Sequence, residues 1–210
     1  MTEHKTMNTV IHAAFRRDLA RFGDALGGFP AGSRTRADQL KGAWDNFSYQ
    51  LHHHHEDEET IFWPELRQLG ATDSLMGELE SEHAQMLSAL DASDAAMKAF
   101  HGDPSAENAS TAQSTITDLG GVILSHLDHE ERDLEPIAAA NPGSPQMKAA
   151  QKAVRKAHKG NTGTFFTWLL DGADPDARAG LRREIPPPVL FVIVRVGGRD
   201  YNRRIAPVWA

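Results

Sequence analysis

The sequence predicts an all-α protein: an antiparallel up-down-up-down four-helix bundle with a helical C-terminal extension. Three observations lead there. Apolar residues recur at helical spacing along most of the chain, while the alternation expected of strands is scarce. The breaks between the first helical stretches are short and carry turn residues, which makes consecutive helices antiparallel neighbours. The chain of 210 residues holds eleven histidines, and eight of them fall on the four expected bundle helices, at least one on each.

The first helix is expected over Asn8 to Leu26, with Val10, Ala14, Leu19 and Phe22 among its apolar positions. GGFPAG, residues 27–32, is a turn. Ser33 caps a long second helix that passes through Leu51, His54 and Ile61 and ends or kinks around Pro64. Gly70 closes that segment. A third helix runs from Thr72 to Phe100 and stops at HGDPS, residues 101–105. The fourth covers Ala106 to Ala140, with Pro136 near its end and NPGSP, residues 141–145, as the next break.

Residues 1–142 therefore read as the bundle and residues 143–210 as the extension. Met147 to Leu170 is expected as a fifth amphipathic helix, DGADPD as a turn, and Ala177 to Glu184 as a short helix. The tail IPPPVLFVIVRVGGRDYNRRIAPVWA reads as helical pieces packed on the bundle, because Leu190, Phe191, Ile193, Tyr201 and Trp209 need cover. A separate interaction segment or dimer arm is the alternative. No internal repeat or low-complexity tract is visible.

Composition narrows the function. A hydrophobic content of 40% fits a globular protein, and a net charge of −7 argues against a nucleic-acid-binding surface. Lys and Arg appear mainly near residues 16–21, 148–159 and 178–204. The absence of cysteine excludes disulfides, thiolate nucleophiles and cysteine-held iron–sulfur clusters. The start, MTEHKTMNTVIHAAF, lacks the charged and apolar regions of a secretory signal. The most apolar run, Val189 to Val194, is six residues, far too short to span a bilayer. A cytoplasmic protein without a membrane or nucleic-acid partner is the expectation. No phosphate loop, dinucleotide fingerprint or nucleophile elbow competes as a catalytic motif.

The stretch LHHHHEDEETIFWPEL, residues 51–66, lies inside a helix, where a purification tag would not. Helix one carries His12, helix two His52 to His55, helix three His83, and helix four His126 and His129. At about 1.5 Å rise per residue, His54 lies about 27 Å before the turn near residue 72 and His83 about 17 Å after it. His83 lies about 30 Å before the turn near residue 103 and His126 about 35 Å after it. His12 lies about 27 Å before the first turn and His54 about 36 Å after it. These mismatches of one or two helical turns allow a single layer to hold all four.

His54 and Glu58 are spaced i, i+4 on one helix face, and His126 and Glu130 repeat the interval. One such pair arises easily on a helix surface. Two pairs, with a histidine on each remaining helix at one depth, do not. An interior lined by two carboxylates and four imidazoles is too polar without a metal. His52 and His53 are expected at the surface or rim, Asp57 and Glu59 on a solvated face, and His158, within HKGNTGTFF, at the surface.

The chain resembles the hemerythrin-like HHE cation-binding domain family. The likeness rests on IHAAFRRDL around His12, HHHHEDEETIFWPEL around His54 and Glu58, LESEHAQML around His83, and HLDHEERDLEP around His126 and Glu130. It covers roughly residues 8 to 140. It implies two non-haem irons bridged by carboxylates and an oxo or hydroxo ion, with manganese or zinc as alternative metals. Carried over by position, the ligands are His12, His54, Glu58, His83, His126 and Glu130. Tyr49, His55, His129 and Glu131 are candidates for supporting or replacement ligands. The oxygen-carrying hemerythrins have a second histidine one turn after that of the third helix, where this chain has Leu87. They also place the fourth-helix acid five residues after its histidine, which here is Glu131; the shorter interval to Glu130 matches His54 and Glu58.

Two octahedral cations offer about twelve positions. Two bridging carboxylates, four imidazoles and one bridging ion fill about ten. About two then remain for a small molecule such as O2, peroxide or nitric oxide, unless Tyr49 or another side chain takes one. The resemblance thus implies a reactive site, with peroxide-consuming or nitric-oxide-reactive chemistry and an unidentified redox partner. Iron or oxygen sensing or storage without turnover is the alternative, and a metal-free helical interaction module is a third reading. A ferritin-like oxidase would need Glu-x-x-His on two helices; Glu80 and His83 supply one, but Ile123 occupies the matching place before His126.

Overall fold

The computed structural model describes residues 6–158 and 160–210. The first five residues of the stretch read for a secretory signal, and Lys159, lie outside that range. Among the described residues the chain is helical with no strand, and no helix is long and apolar enough to cross a membrane.

Four long helices frame the molecule. They are α1 (Met7–Gly27), α2 (Arg34–Asp57), α4 (Asp73–Gly102) and α5 (Ala106–His129), with the short α3 (Trp63–Gln68) and α6 (Glu135–Ala140) continuing α2 and α5. Each long helix begins at a hydroxyl cap: Thr6, Ser33, Thr72 and Ser105 accept from backbone N–H groups of Thr9, Arg36, Leu75 and Asn108. Such caps satisfy N–H groups that the helix leaves without partners. The turn before α4 is closed by Gly70 at φ +110°, a backbone conformation that disfavours side chains.

The helices meet along apolar stripes of helical period. On α1 the stripe is Phe15, Phe22 and Leu26; on α2 it is Leu40, Trp44, Phe47 and Leu51; on α5 it is Ile116, Leu119, Ile123 and Leu127. Phe15, Phe22, Trp44 and Phe47 interlock mostly edge to face, with ring centroids 5.3–5.8 Å apart. Burying each such side chain stabilises the fold by about 1.5–3 kcal/mol. A second apolar cluster, Trp63, Leu66, Ala71, Met76, Leu79 and Leu134, lies at the other end. The histidine layer is held between the two: the ring of His54 is 5.4 Å from Phe15, and Trp63 stacks on His83 at 4.5 Å.

The segment expected as one helix from Met147 to Leu170 is two, α7 (Pro145–Ala157) and α8 (Thr162–Leu170). The break falls around Gly160, where helix is disfavoured. It lets His158 reach Asp57 at 2.7 Å, so this histidine, expected at the surface, pairs with the end of α2. The tail forms α9 (Pro175–Glu184), α10 (Pro187–Val192), a π-helical turn, α11 (Arg199–Arg204) and a final 3-10 turn. Gly163 and Gly197 let α8 and the π turn touch backbone to backbone; a Cβ on Gly163 would stand 2.2 Å from Gly197.

The extension packs on α1 and α2. Trp168 lies 5.2 Å from Phe15 and donates its indole N–H to the buried Asp18 at 2.7 Å. Trp209 meets Phe22 at 5.1 Å, and Tyr201 donates to Asp171, which also pairs with Arg21 of α1. Leu190 and Tyr201 are buried. Phe191, expected to need cover, is instead 68% exposed, because it follows Leu190 on a helix whose other face meets the core.

Candidate metal centre

The segments carrying Glu58 and Glu130 share a backbone irregularity. The chain makes a π-helical turn at Glu58–Phe62 and again at Glu130–Leu134. In each turn the N–H five residues on, of Trp63 or Glu135, donates to the carbonyl of the glutamate. Pro64 and Pro136, six residues after those glutamates, explain why. Proline has no N–H and its ring clashes with the carbonyl four residues back, so regular α-helix is disfavoured there. One extra residue in the turn relieves it. The spacing His-x3-Glu-Glu-x4-Pro occurs at 54–64 and again at 126–136. It is a short repeat that periodicity alone passes over.

These turns aim side chains into the layer between the two apolar clusters. Two groups of ligand atoms lie there, each within 4.8 Å of one another: His55, Glu58, His83 and His126, and His12, His54, Glu58 and Glu130. Glu58 belongs to both. His54 Nε2 is 3.1 Å from Glu58 Oε1, and His12 Nε2 is 3.4 Å from Glu130 Oε2. His83 Nε2 is 3.7 Å from Glu58 Oε2, and His126 Nε2 is 3.7 Å from Glu130 Oε2.

The six residues expected as ligands thus come together, and His55 joins them. Of the other candidates, Glu131 and His129 stand just outside. Glu131 accepts from His12 Nδ1 at 2.8 Å and is braced by Arg16 at 2.7 Å. His129 Nδ1 is 2.7 Å from Glu82. Tyr49 is apart from the cluster: it is 42% exposed and its ring packs on His53.

Two residues were not anticipated. Glu59, expected on a solvated face, accepts from His83 Nδ1 at 2.7 Å, and Glu82 accepts from His126 Nδ1 at 2.9 Å. With Glu131 they fix three imidazoles by their outer nitrogens, so that Nε2 faces the centre, as a lone pair at His83 and His126 and, at His12, once its second proton is displaced. Glu59 could have been found from the repeat, since it stands where Glu131 stands in the second copy. Glu82 carries no such signal beyond its place beside His83.

The donor set fits cations. His83 Nε2 and His126 Nε2 face each other at 3.1 Å. With both Nδ1 protons given to carboxylates, two lone pairs meet there, which is unfavourable unless a positive charge lies beside them. Nε2 of His12, His54 and His55, and both oxygens of Glu58 and of Glu130, are buried without a hydrogen-bond partner. Buried polar atoms are rarely left so. Imidazole with carboxylate is a ligand mixture suited to iron, zinc or manganese.

Protonation follows the same layout. Burial, then the charge of His12, pushes His54 well below the ordinary imidazole value; burial and His54 do the same to His55. Both are neutral and competent to bind metal. Burial, then the neighbouring charge of Glu130, pushes Glu58 well above the ordinary carboxylate value. Burial opposes charging at Glu130 too, but His12 outweighs it and holds Glu130 low. His12 is correspondingly raised by Glu130 and Glu131 against its own burial.

The model of the Hemerythrin HHE cation binding domain family matches residues 3–138 of the chain. The chain belongs to this hemerythrin HHE family. The match ends close to the last residue of α6, so it takes in both π-turn segments and every residue of the cluster. No curated protein and no solved structure matches the chain. The hemerythrin assignment and the converging His and Glu side chains agree on a cation-binding protein.

Proposed function

We propose that this protein holds two non-haem irons, bridged by Glu58, Glu130 and an oxo or hydroxo ion, and that it binds or reacts with O2, peroxide or nitric oxide. His12, His54, His83 and His126 are the terminal ligands in this reading. The observation that carries it is the pair of four-residue groups sharing Glu58. The scaffold is an antiparallel four-helix bundle over residues 1–142, with residues 143–210 as its cover. In support, the start of α1 meets the π turn that follows α5 through His12 and Glu131, while Gly23 near its end accepts from Gln113 near the start of α5. Asp38 near the start of α2 likewise meets His101 at the end of α4.

Iron bound there would supply coordination positions and electrons for a small molecule. The chain does the rest. Glu59, Glu82 and Glu131 hold three imidazoles in the tautomer that presents Nε2. Phe15 and Trp63 cover the layer on two sides and limit water. A cleft of about 530 Å³ lined by Glu59, Thr60, Trp63, Pro64, Arg67 and Glu80 reaches the outer carboxylate of His83 from the surface. Peroxide disproportionation needs no separate reductant, because one peroxide is reduced to water as another is oxidised to O2.

Metal analysis of gently purified protein, with ultraviolet–visible spectra before and after peroxide or nitric oxide, tests the reading. Two irons per chain and spectral change with peroxide loss are expected. Reversible O2 spectra with no turnover would favour oxygen sensing or carriage. Protein that holds no metal and recovers none on anaerobic iron addition would contradict it.

A further inference from the structure

We propose that His55 is a metal ligand. It supplies a fifth imidazole, so that one cation is held by His55, His83 and His126 and the other by His12 and His54, with Glu58 shared. The inference rests on the two-cation reading and adds to it the division of ligands between the two sites.

Four observations carry it. His55 is buried while His52, next but two along the chain, is exposed and His53 is half-buried. Its ring lies 4.4 Å from His83 and 5.4 Å from His126, and its ligand nitrogen falls within the group those two form with Glu58. Its Nε2 has no hydrogen-bond partner, which a buried core histidine would ordinarily find. The equivalent place in the second copy of the repeat is Leu127, fully buried against the core. The same place in the repeat therefore accepts a buried apolar side chain where no ligand is grouped.

Leu87 supplies the complementary fact. It stands one turn after His83 and is 44% exposed, so α4 offers no second ligand at that place. In this chain the added imidazole comes from α2, one residue after His54.

The consequence is asymmetry. With about six positions each, the cation of His55, His83 and His126 is filled by three imidazoles, two bridging carboxylates and the bridging ion. The cation of His12 and His54 has about one position left. A small molecule then meets only the cation on the α1 side, beneath Phe15.

The test uses the full chain loaded anaerobically with cobalt(II), as wild type, His55→Gln, His55→Ala and the half-buried control His53→Gln. Each coordinated imidazole contributes one strongly shifted, exchangeable N–H proton resonance. Five such resonances are expected in the wild type and in His53→Gln, and four in both His55 variants. Titration should show one of the two cations bound at least tenfold more weakly in the His55 variants, at unchanged helical circular dichroism. A wild-type spectrum with four resonances overturns the proposal without any variant, even if His55→Ala fails to fold. So do His55 variants with wild-type spectra and affinities. Wild-type protein that takes up fewer than two cobalt ions overturns the two-cation reading, and this division of ligands falls with it.

Discussion

The two segments that carry Glu58 and Glu130 have the same spacing, the same π turn and the same following proline, yet their carboxyl groups behave in opposite ways. Burial and the charge of Glu130 hold Glu58 toward its protonated form. Glu130 stays ionised against its burial because His12 lies 3.4 Å away. The difference comes from the facing helices. The second segment meets α1, which brings His12 together with Arg16, itself bonded to Glu131 and Asp128. The first meets α4, where Glu59 reaches His83 without an arginine brace. A shared backbone device sets where the side chains stand, and non-local neighbours set their charge.

Exchanging the carboxyl groups should break the comparison most strongly. Glu58→Gln removes an oxygen shared by both groups and is expected to weaken both cations by more than about a hundredfold, beyond the range for outer partners. Glu130→Gln removes the other bridge and should also weaken both cations, but the one at His12 and His54 more, because Glu130 is grouped with those residues. Metal titration of each variant checks this, and equal losses at both sites in both variants would contradict it. Without metal the same two changes should move stability in opposite directions. Glu58→Gln relieves a buried carboxyl and should raise the melting temperature. Glu130→Gln strips His12 of its partner and should cost about 1–3 kcal/mol, read from denaturant unfolding of the metal-free protein.

The outer carboxylates come next. Glu59→Gln and Glu131→Gln are each expected to lower cation affinity about 10–100-fold, with the first acting at the His83 site and the second at the His12 site. Arg16→Met, which only loosens Glu131, should cost less than either.

A pH dependence follows with a definite sign. His12 and Glu58 both have raised values in the metal-free protein, so each tends to keep a proton that a cation must displace. Cation uptake should release protons, and apparent affinity should fall as pH drops through the raised value of His12. Calorimetry in buffers of different ionisation heat measures the release; uptake without proton release would contradict the pKa directions.

Much of this was legible in the sequence because it is local. The cap at Ser33, the break at Gly70 and the His54–Glu58 and His126–Glu130 intervals all depend on residues within one or two turns. What escaped depends on other helices or on one extra residue. The π turns shift the helical phase by a single position, which apolar periodicity does not resolve; by sequence Pro64 marks only an end or kink, and Pro136 only the approach of a helix end. Glu59 and Glu82 look like solvent-facing acids until the packed helices bring His83 Nδ1 and His126 Nδ1 to them. His55 is a replacement candidate by sequence, but that it turns inward while His52 and His53 do not follows only from how α2 is rotated against α4. His158 reaches Asp57 because α7 and α8 are two helices rather than one.

Diffraction from crystals of the iron-loaded protein, collected at the iron absorption edge, bears most directly on the central claim. The account expects two anomalous peaks, one among His55, Glu58, His83 and His126 and one among His12, His54, Glu58 and Glu130. A single peak, or none between these side chains, would contradict it.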